Sequence, residues 1–132
     1  MAKATKTKLL SFSMDDKPGL LSEITAMLAS AKVNITAVCV YAWDDTAYFD
    51  MTTDSNPKAK KALKGLGSEI EEEDAVLVEL PNKVGELQKV AKIIADAGIN
   101  ISYMYGTTSA GRTVTGVMST SDNNRVIKLI NK

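Results

Sequence analysis

Among its 132 residues the chain has no histidine. That removes the side chain most used for acid–base work near neutral pH, and with it the commonest metal ligand. Cysteine is almost as scarce. Cys39 stands alone, so neither an internal disulfide nor a Cys-rich metal site can form, and a lone thiol is compatible with a reducing compartment. Excess charge is missing too: sixteen Lys and Arg balance sixteen Asp and Glu, which leaves no electrostatic footprint for nucleic acid or an anionic membrane. No strand combines basic and aromatic residues in the way that stacks RNA bases. Long apolar runs are absent as well. No stretch reaches membrane length, and Lys3, Lys6 and Lys8 are not followed by an apolar run of signal-peptide length. The expectation is a cytoplasmic protein with no cofactor, no metal, and neither nucleic acid nor membrane as partner.

What the chain does have is an internal repeat, the feature to settle before any other. Asp16-Lys17-Pro18-Gly19-Leu20-Leu21 returns 66 residues later as Asn82-Lys83-Val84-Gly85-Glu86-Leu87. The same offset matches Ala29-Ser30-Ala31-Lys32-Val33-Asn34-Ile35 to Ala95-Asp96-Ala97-Gly98-Ile99-Asn100-Ile101. Carried on without a gap it matches Leu63 to Leu129 and Lys132 to Leu66.

Within each copy the elements follow from periodicity. Residues 1–7 show no period and read as a flexible tail. Leu10, Phe12 and Met14 alternate with Ser11 and Ser13, predicting a strand. Pro18 suits a helix start, and Leu20, Leu21, Ile24, Met27, Leu28 and Ala31 carry the helix at its period. Val33–Trp43 and Thr46–Thr53 form a hairpin broken at Asp44-Asp45, and Asn56-Pro57 opens a second helix that Gly65 and Gly67 end. Ser68–Glu73 reads as a short acidic edge strand. The second copy repeats a strand (Val76, Val78, Leu80), a helix (Leu87, Val90, Ile93, Ile94, Ala97), a hairpin across Ser109-Ala110-Gly111 and a last helix with Val126, Ile127, Leu129 and Ile130. The fold class is therefore α+β: two ferredoxin-like βαββαβ units, each an antiparallel sheet with helices on one face. The domains are 8–73 and 74–132, the second lacking its last strand. That leaves a bare edge for another segment or chain to pair with. The second strand of the first copy is apolar on both faces, Ile35, Ala37 and Cys39 against Val38 and Val40. Both features point to association, most simply a homodimer.

The repeated turn is the candidate site. The first N–H groups of a helix lack intrahelical partners and sit at the positive end of its dipole. Gly19 has no side chain to block approach, so the N–H groups of Gly19, Leu20 and Leu21 can receive a small carboxylate. Asp16, just upstream, can hold an ammonium group, and Lys17 belongs to the same turn. Together these suit a free amino acid. The second copy is less suited: Asn82 replaces Asp16, Val84 replaces Pro18, and Glu86 replaces Leu20 and would repel a carboxylate if it faced the pocket. The plain structural alternative is a turn whose Asp or Asn caps a helix, with Asn34 and Asn100 satisfying local backbone.

A strand, Asp-x-Pro-Gly-Leu-Leu, an apolar helix ending in Ala-x-Val-Asn-Ile and a hairpin together resemble the ACT domain, a small ferredoxin-like regulatory module that binds amino acids and controls metabolic enzymes. The resemblance is strong over 8–73. It extends to 74–132 through Asn82-x-x-Gly85 and Gly98-Ile99-Asn100-Ile101. It implies a stand-alone tandem ACT protein whose ligand lies at an interface between modules. In serine-responsive members the turn Asn or Asp and the Asn opening the second strand hold the ligand. The matching positions are Asp16 with Asn34 and Asn82 with Asn100, the second turn including Gly85. Where those relatives have a ring group at the end of the first strand, this chain has Met14 and Leu80. Tyr103 and Tyr105 can reach such a pocket from the second strand of copy two.

The leading expectation is thus a regulatory protein that binds a small molecule, an amino acid, and acts on a metabolic enzyme as partner. The alternative is a protein–protein assembly module with no metabolite. An enzyme is not expected, since no nucleophile–base pair is visible and Asp44-Asp45 is hairpin chemistry.

Overall fold

The computed structural model describes residues 1–107 and 111–132. The chain forms two compact units. One is Leu9–Glu73; the other joins Met1–Lys8 to Asp74–Lys132. In chain order the elements are β1 (Lys3–Asp15), α1 (Leu20–Ser30), β2 (Ile35–Trp43), β3 (Thr46–Thr53), α2 (Asn56–Ala62) and β4 (Glu71–Pro81). Then follow α3 (Glu86–Asp96), β5 (Ile101–Thr107), β6 (Thr113–Thr120) and α4 (Asn123–Asn131). Both units are ferredoxin-like, and no strand follows α4 in the second copy.

In the Leu9–Glu73 unit the strand order is β2-β3-β1 followed by the first residues of β4. The period of two in β1 sends Leu10 and Phe12 inward, where Phe12 pairs with Phe49 of β3 and the two rings stack at 5.0 Å. The stripe Leu20, Ile24 and Leu28 of α1 closes over them with Ala59 and Leu63. Burying such side chains stabilises the unit by about 1.5–3 kcal/mol each before entropy is counted. The Asp44-Asp45 break is a two-residue turn with both φ positive, 50° and 65°, the twist that suits a tight hairpin. The apolar run that ends at Gly67 is a helix only to Ala62; a single 3₁₀ turn, Lys64–Leu66, completes it.

In the other unit the order is β1-β4-β6-β5, with only the first residues of β1 belonging to it. Here the expected flexible tail is corrected. Residues from Lys3 onward are strand, and Ala4 is buried at 2% exposure among Val76, Val78, Val126 and Ile130. The Ala4 N–H donates to Asn131 Oδ1 at 2.8 Å, and Asn131 Nδ2 donates back to the Ala4 carbonyl at 2.7 Å. The N-terminal segment thus takes the place of the strand the second copy lacks. The acidic edge strand expected at 68–73 also changes: Glu71–Glu73 run on without a break into Val76–Leu80 as β4.

The gapless alignment of the copies holds only as far as the hairpins. Six residues separate Tyr41 from its partner Tyr48, whereas seven separate Thr107 from Thr115. Beyond the hairpin the offset is therefore 67. Asn56 and Asn123 make the same bond with Thr53 and Thr120, and Ser55 and Asp122 cap α2 and α4 alike. Leu63 thus corresponds to Ile130, both buried, rather than to Leu129. The expected turn residues Ser109 and Ala110 lie outside the described residues.

Candidate functional site

At the first turn, Asp16 continues the β1–β3 ladder through its N–H to the Asp45 carbonyl, 2.9 Å. The chain then reverses, and Gly19 takes φ 84° as the residue before α1. Only glycine enters that region freely, so Pro18 lies outside the helix rather than in its first turn. No side chain caps α1, and none caps α3, where Gly85 repeats the conformation at φ 89°. The capping role open to Asp16 and Asn82 is therefore not used. The Leu20 N–H reaches the Lys17 carbonyl at 3.4 Å, which removes one of the three expected carboxylate donors. The N–H groups of Gly19 and Leu21 have no protein acceptor among the described residues. Lys17 pairs with Glu23 at 3.2 Å in solvent, a contact worth little by itself. A depression of about 430 Å³ beside the turn takes in Lys17 and Leu20 but not Asp16, Gly19 or Leu21.

The second turn borders a more enclosed space. A cleft of about 490 Å³ lies against it, with Leu80, Leu87, Met104 and Val114 as apolar walls and Tyr105 also bordering it. Asn82, Lys83 and Glu86 bring polar groups to it. The Asn82 N–H donates to the Arg112 carbonyl at 2.8 Å, and its Nδ2 donates to the Gly111 carbonyl at 3.2 Å. This fixes the amide and leaves Oδ1 as an acceptor. Glu86 has its side chain largely covered, 17% exposed, and holds Lys89 at 3.2 Å. Glu86 does border the pocket, so the cleft offers a cation at Lys83 and acceptors at Glu86 and Asn82 Oδ1.

Two of the residues that line the cleft are glycines where the other copy has larger side chains. Gly116 pairs with Val78 and Gly106 as Phe49 pairs with Phe12 and Val40 in the other copy. Where one unit has a buried ring and a valine, this one has two facing glycines.

The two asparagines that open the second strands lie elsewhere in their units. The Asn34 N–H donates to Asp54 Oδ1 and the Asn100 N–H to Ser121 Oγ, each at 3.0 Å. Their side chains are exposed, and among the described residues they make no bond to the backbone of the kind the plain structural alternative supposes. Asp16 sits at the Asp45 end of β3 and Asn34 at the Asp54 end. Eight strand residues span roughly 25 Å. Within one unit, then, the turn and the asparagine do not meet on one small ligand, and the same holds for Asn82 and Asn100 across β6. Tyr103 is half-buried and stacks on Tyr105 at 6.3 Å, but only Tyr105 borders the cleft. Of the ten expected residues the cleft brings in Asn82, with Gly85 adjoining. Lys83, Leu87, Met104, Gly106 and Gly116 are additions, while Glu86 and Tyr105, both named from the sequence, border it as well. A signal for the glycines is present in the sequence once the copies are aligned with the extra hairpin residue.

Among the described residues no group of acidic, cysteine or histidine side chains is placed to hold a metal, and no helix is long and apolar enough to cross a membrane.

The family model of the ACT domain pair matches residues 5–132. Among solved structures, a protein from Bacteroides thetaiotaomicron is similar with a TM-score of 0.88 and 29% identity, over 97% of this chain and 88% of its own. The ligand-free regulatory subunit of aspartate kinase from Thermus thermophilus has a TM-score of 0.70 at 13% identity, over 98% of this chain and 94% of its own. The corresponding subunit from Thermus flavus has 0.67 at 15%, with the same coverage. At such identities these two likenesses are of fold alone. No curated protein matches the chain.

Proposed function

Since the chain belongs to the ACT domain pair family, we propose that it is a regulatory protein that binds a small zwitterionic ligand, an amino acid, beside a strand-to-helix turn. The observation that carries this reading is the cleft at the second turn. It has opposite charges at Lys83 and Glu86, an amide acceptor at Asn82, and an apolar interior. Such a set holds an α-amino acid by its head groups and shelters its side chain. Asp16, Lys17 and the N–H groups of Gly19 and Leu21 offer a second, shallower place for a ligand of the same class. The partner of such a module is an enzyme of metabolism; the fold likeness to regulatory subunits of aspartate kinase supports that class of partner. Ligand binding acts on the partner only to the extent that it favours one arrangement over another.

The test is thermal melting of the protein against the common amino acids at millimolar concentration, repeated with Lys83→Met and Asp16→Ala. A ligand at a hundred times its dissociation constant adds about 2.7 kcal/mol. A rise lost in Lys83→Met assigns binding to the second unit, and one lost in Asp16→Ala assigns it to the first. A flat panel in the unmodified protein defeats the proposal.

A second reading, association through β2, is favoured by one observation. This strand is at an edge of its unit and exposes Val38, Val40, Tyr41 (53%) and Trp43 (74%), an edge of the kind that recruits another chain. Sedimentation of the wild type and of Trp43→Ser separates the cases: a dimer that becomes a monomer in the variant supports self-association through this strand.

A further inference from the structure

We infer that the cleft of the second unit selects amino acids whose side chains are apolar and of leucine to phenylalanine size, and that Gly116 sets this preference. The inference rests on the reading that this cleft binds an amino acid, and it adds the class of side chain and the residue responsible.

The argument starts from the repeat. At the place of Gly116 the first unit has Phe49, fully buried and stacked on Phe12. Val78 stands where Phe12 does, so the second unit lacks both rings. Gly106 stands where the first unit has Val40. Nearly the same backbone pattern is thus built with far less side-chain volume, and both Gly106 and Gly116 lie in the lining of the cleft of about 490 Å³ at the turn. That space is lined by Leu80, Leu87, Met104 and Val114. A charged or strongly polar ligand side chain would be desolvated there without a partner, which is costly. A small one would leave the apolar walls uncovered. An aliphatic or aromatic side chain satisfies both conditions.

The two glycines are not equivalent. A Cβ at Gly106 would lie 2.8 Å from the Thr115 carbonyl oxygen, a backbone atom that cannot yield. This glycine serves the close approach of β5 and β6. A Cβ at Gly116 would lie 2.8 Å from Met104 Cε, the free end of a flexible side chain, and 3.5 Å from Val78 Cγ1. Met104 leans into the place left by the missing ring and can be pushed aside. Its adaptability suits a range of apolar side chains more than one fixed shape.

Isothermal titration of the full chain with glycine, alanine, serine, aspartate, lysine, leucine, methionine and phenylalanine tests this, using the wild type, Gly116→Ala and Met104→Ala. Circular dichroism and melting monitor the fold of each variant. Leucine, methionine and phenylalanine are expected to bind tightest to the wild type. Gly116→Ala, by driving Met104 into the cleft, should weaken them about tenfold or more, the scale of one methylene in a fitted pocket, and leave alanine unchanged. Met104→Ala, which empties the wall without touching the backbone, should shift preference toward phenylalanine, and it decides the matter if Gly116→Ala fails to fold. Tighter binding of serine, aspartate or lysine, or variants with an unchanged preference, would overturn the inference while leaving an amino-acid-binding protein. No binding of any of the eight by the wild type would overturn both.

Discussion

Lys32 occupies the left-handed position just after α1, with φ 57°, where the second copy has Gly98 at φ 71°. Its N–H donates to the Ala29 carbonyl at 3.0 Å, the N–H of Val33 reaches Leu28 at 3.0 Å, and both bonds need that conformation. A side chain with a Cβ costs about 1–2 kcal/mol there. Lys32 is exposed, so little is lost by removing it. Lys32→Gly is expected to stabilise the protein by about 0.5–1 kcal/mol, the gain being reduced by glycine's greater freedom when unfolded. Urea denaturation with an unchanged slope would read it. At Cys39 the thiol is pushed above its ordinary value, first by burial and then by the Asp50 carboxylate opposite it on β3. A folded-state pKa above the unfolded one gives stability that is complete below the unfolded pKa and lost as pH rises through the folded one. The melting advantage of wild type over Cys39→Ser should therefore hold at neutral pH and shrink in alkali, above about pH 8.5 where unfolded thiols ionise. A gap constant up to strongly alkaline pH would contradict it.

At the scale of elements, β1 makes the sharpest demand, because its first residues complete a core built from residues that follow far along the chain. Asn131→Ala removes both bonds to Ala4 and leaves backbone groups of a buried segment short of partners, which should cost about 1–3 kcal/mol. Removing residues 1–7 should cost more, since Ala4 would no longer cover Val76 and Val78. Calorimetric melting checks both, and an unchanged transition after the truncation would mean a frayed tail after all. The helices and both hairpins were legible in the sequence because each carries a full apolar stripe or alternation of its own. The later part of β1 was legible too, through Leu10, Phe12 and Met14, but its first stretch was not. Its inward residues are the small Ala2 and Ala4 among lysines and threonines, and the group that anchors it is 127 positions away. The extra hairpin residue was hidden for a related reason. Leu129 and Ile130 are both apolar, so the wrong match to Leu63 looked as good as the right one. Asn82 could be named because turns have chemistry of their own. The cleft could not, since two of the residues that line it are glycines where the other copy has larger side chains.

For the whole molecule, two copies of one turn do not amount to two equal sites. The first copy fills its interior with the Phe12–Phe49 stack and pairs Lys17 with Glu23 outside. The second keeps its cleft and places Glu86 at the head of α3. An amino acid that enters the second has apolar walls to cover, whereas one at the first has only a shallow depression and a dipole. Titration calorimetry should therefore give a stoichiometry near one ligand per chain, not two, with a negative heat-capacity change from the buried apolar surface. Glu86→Gln should weaken binding if this carboxylate holds the ammonium group. Two equivalent sites per chain, or binding that Glu86→Gln leaves unchanged and Asp16→Ala abolishes, would move the principal site to the first copy. The glycine pair facing across β5 and β6 would then be a packing difference without a regulatory role.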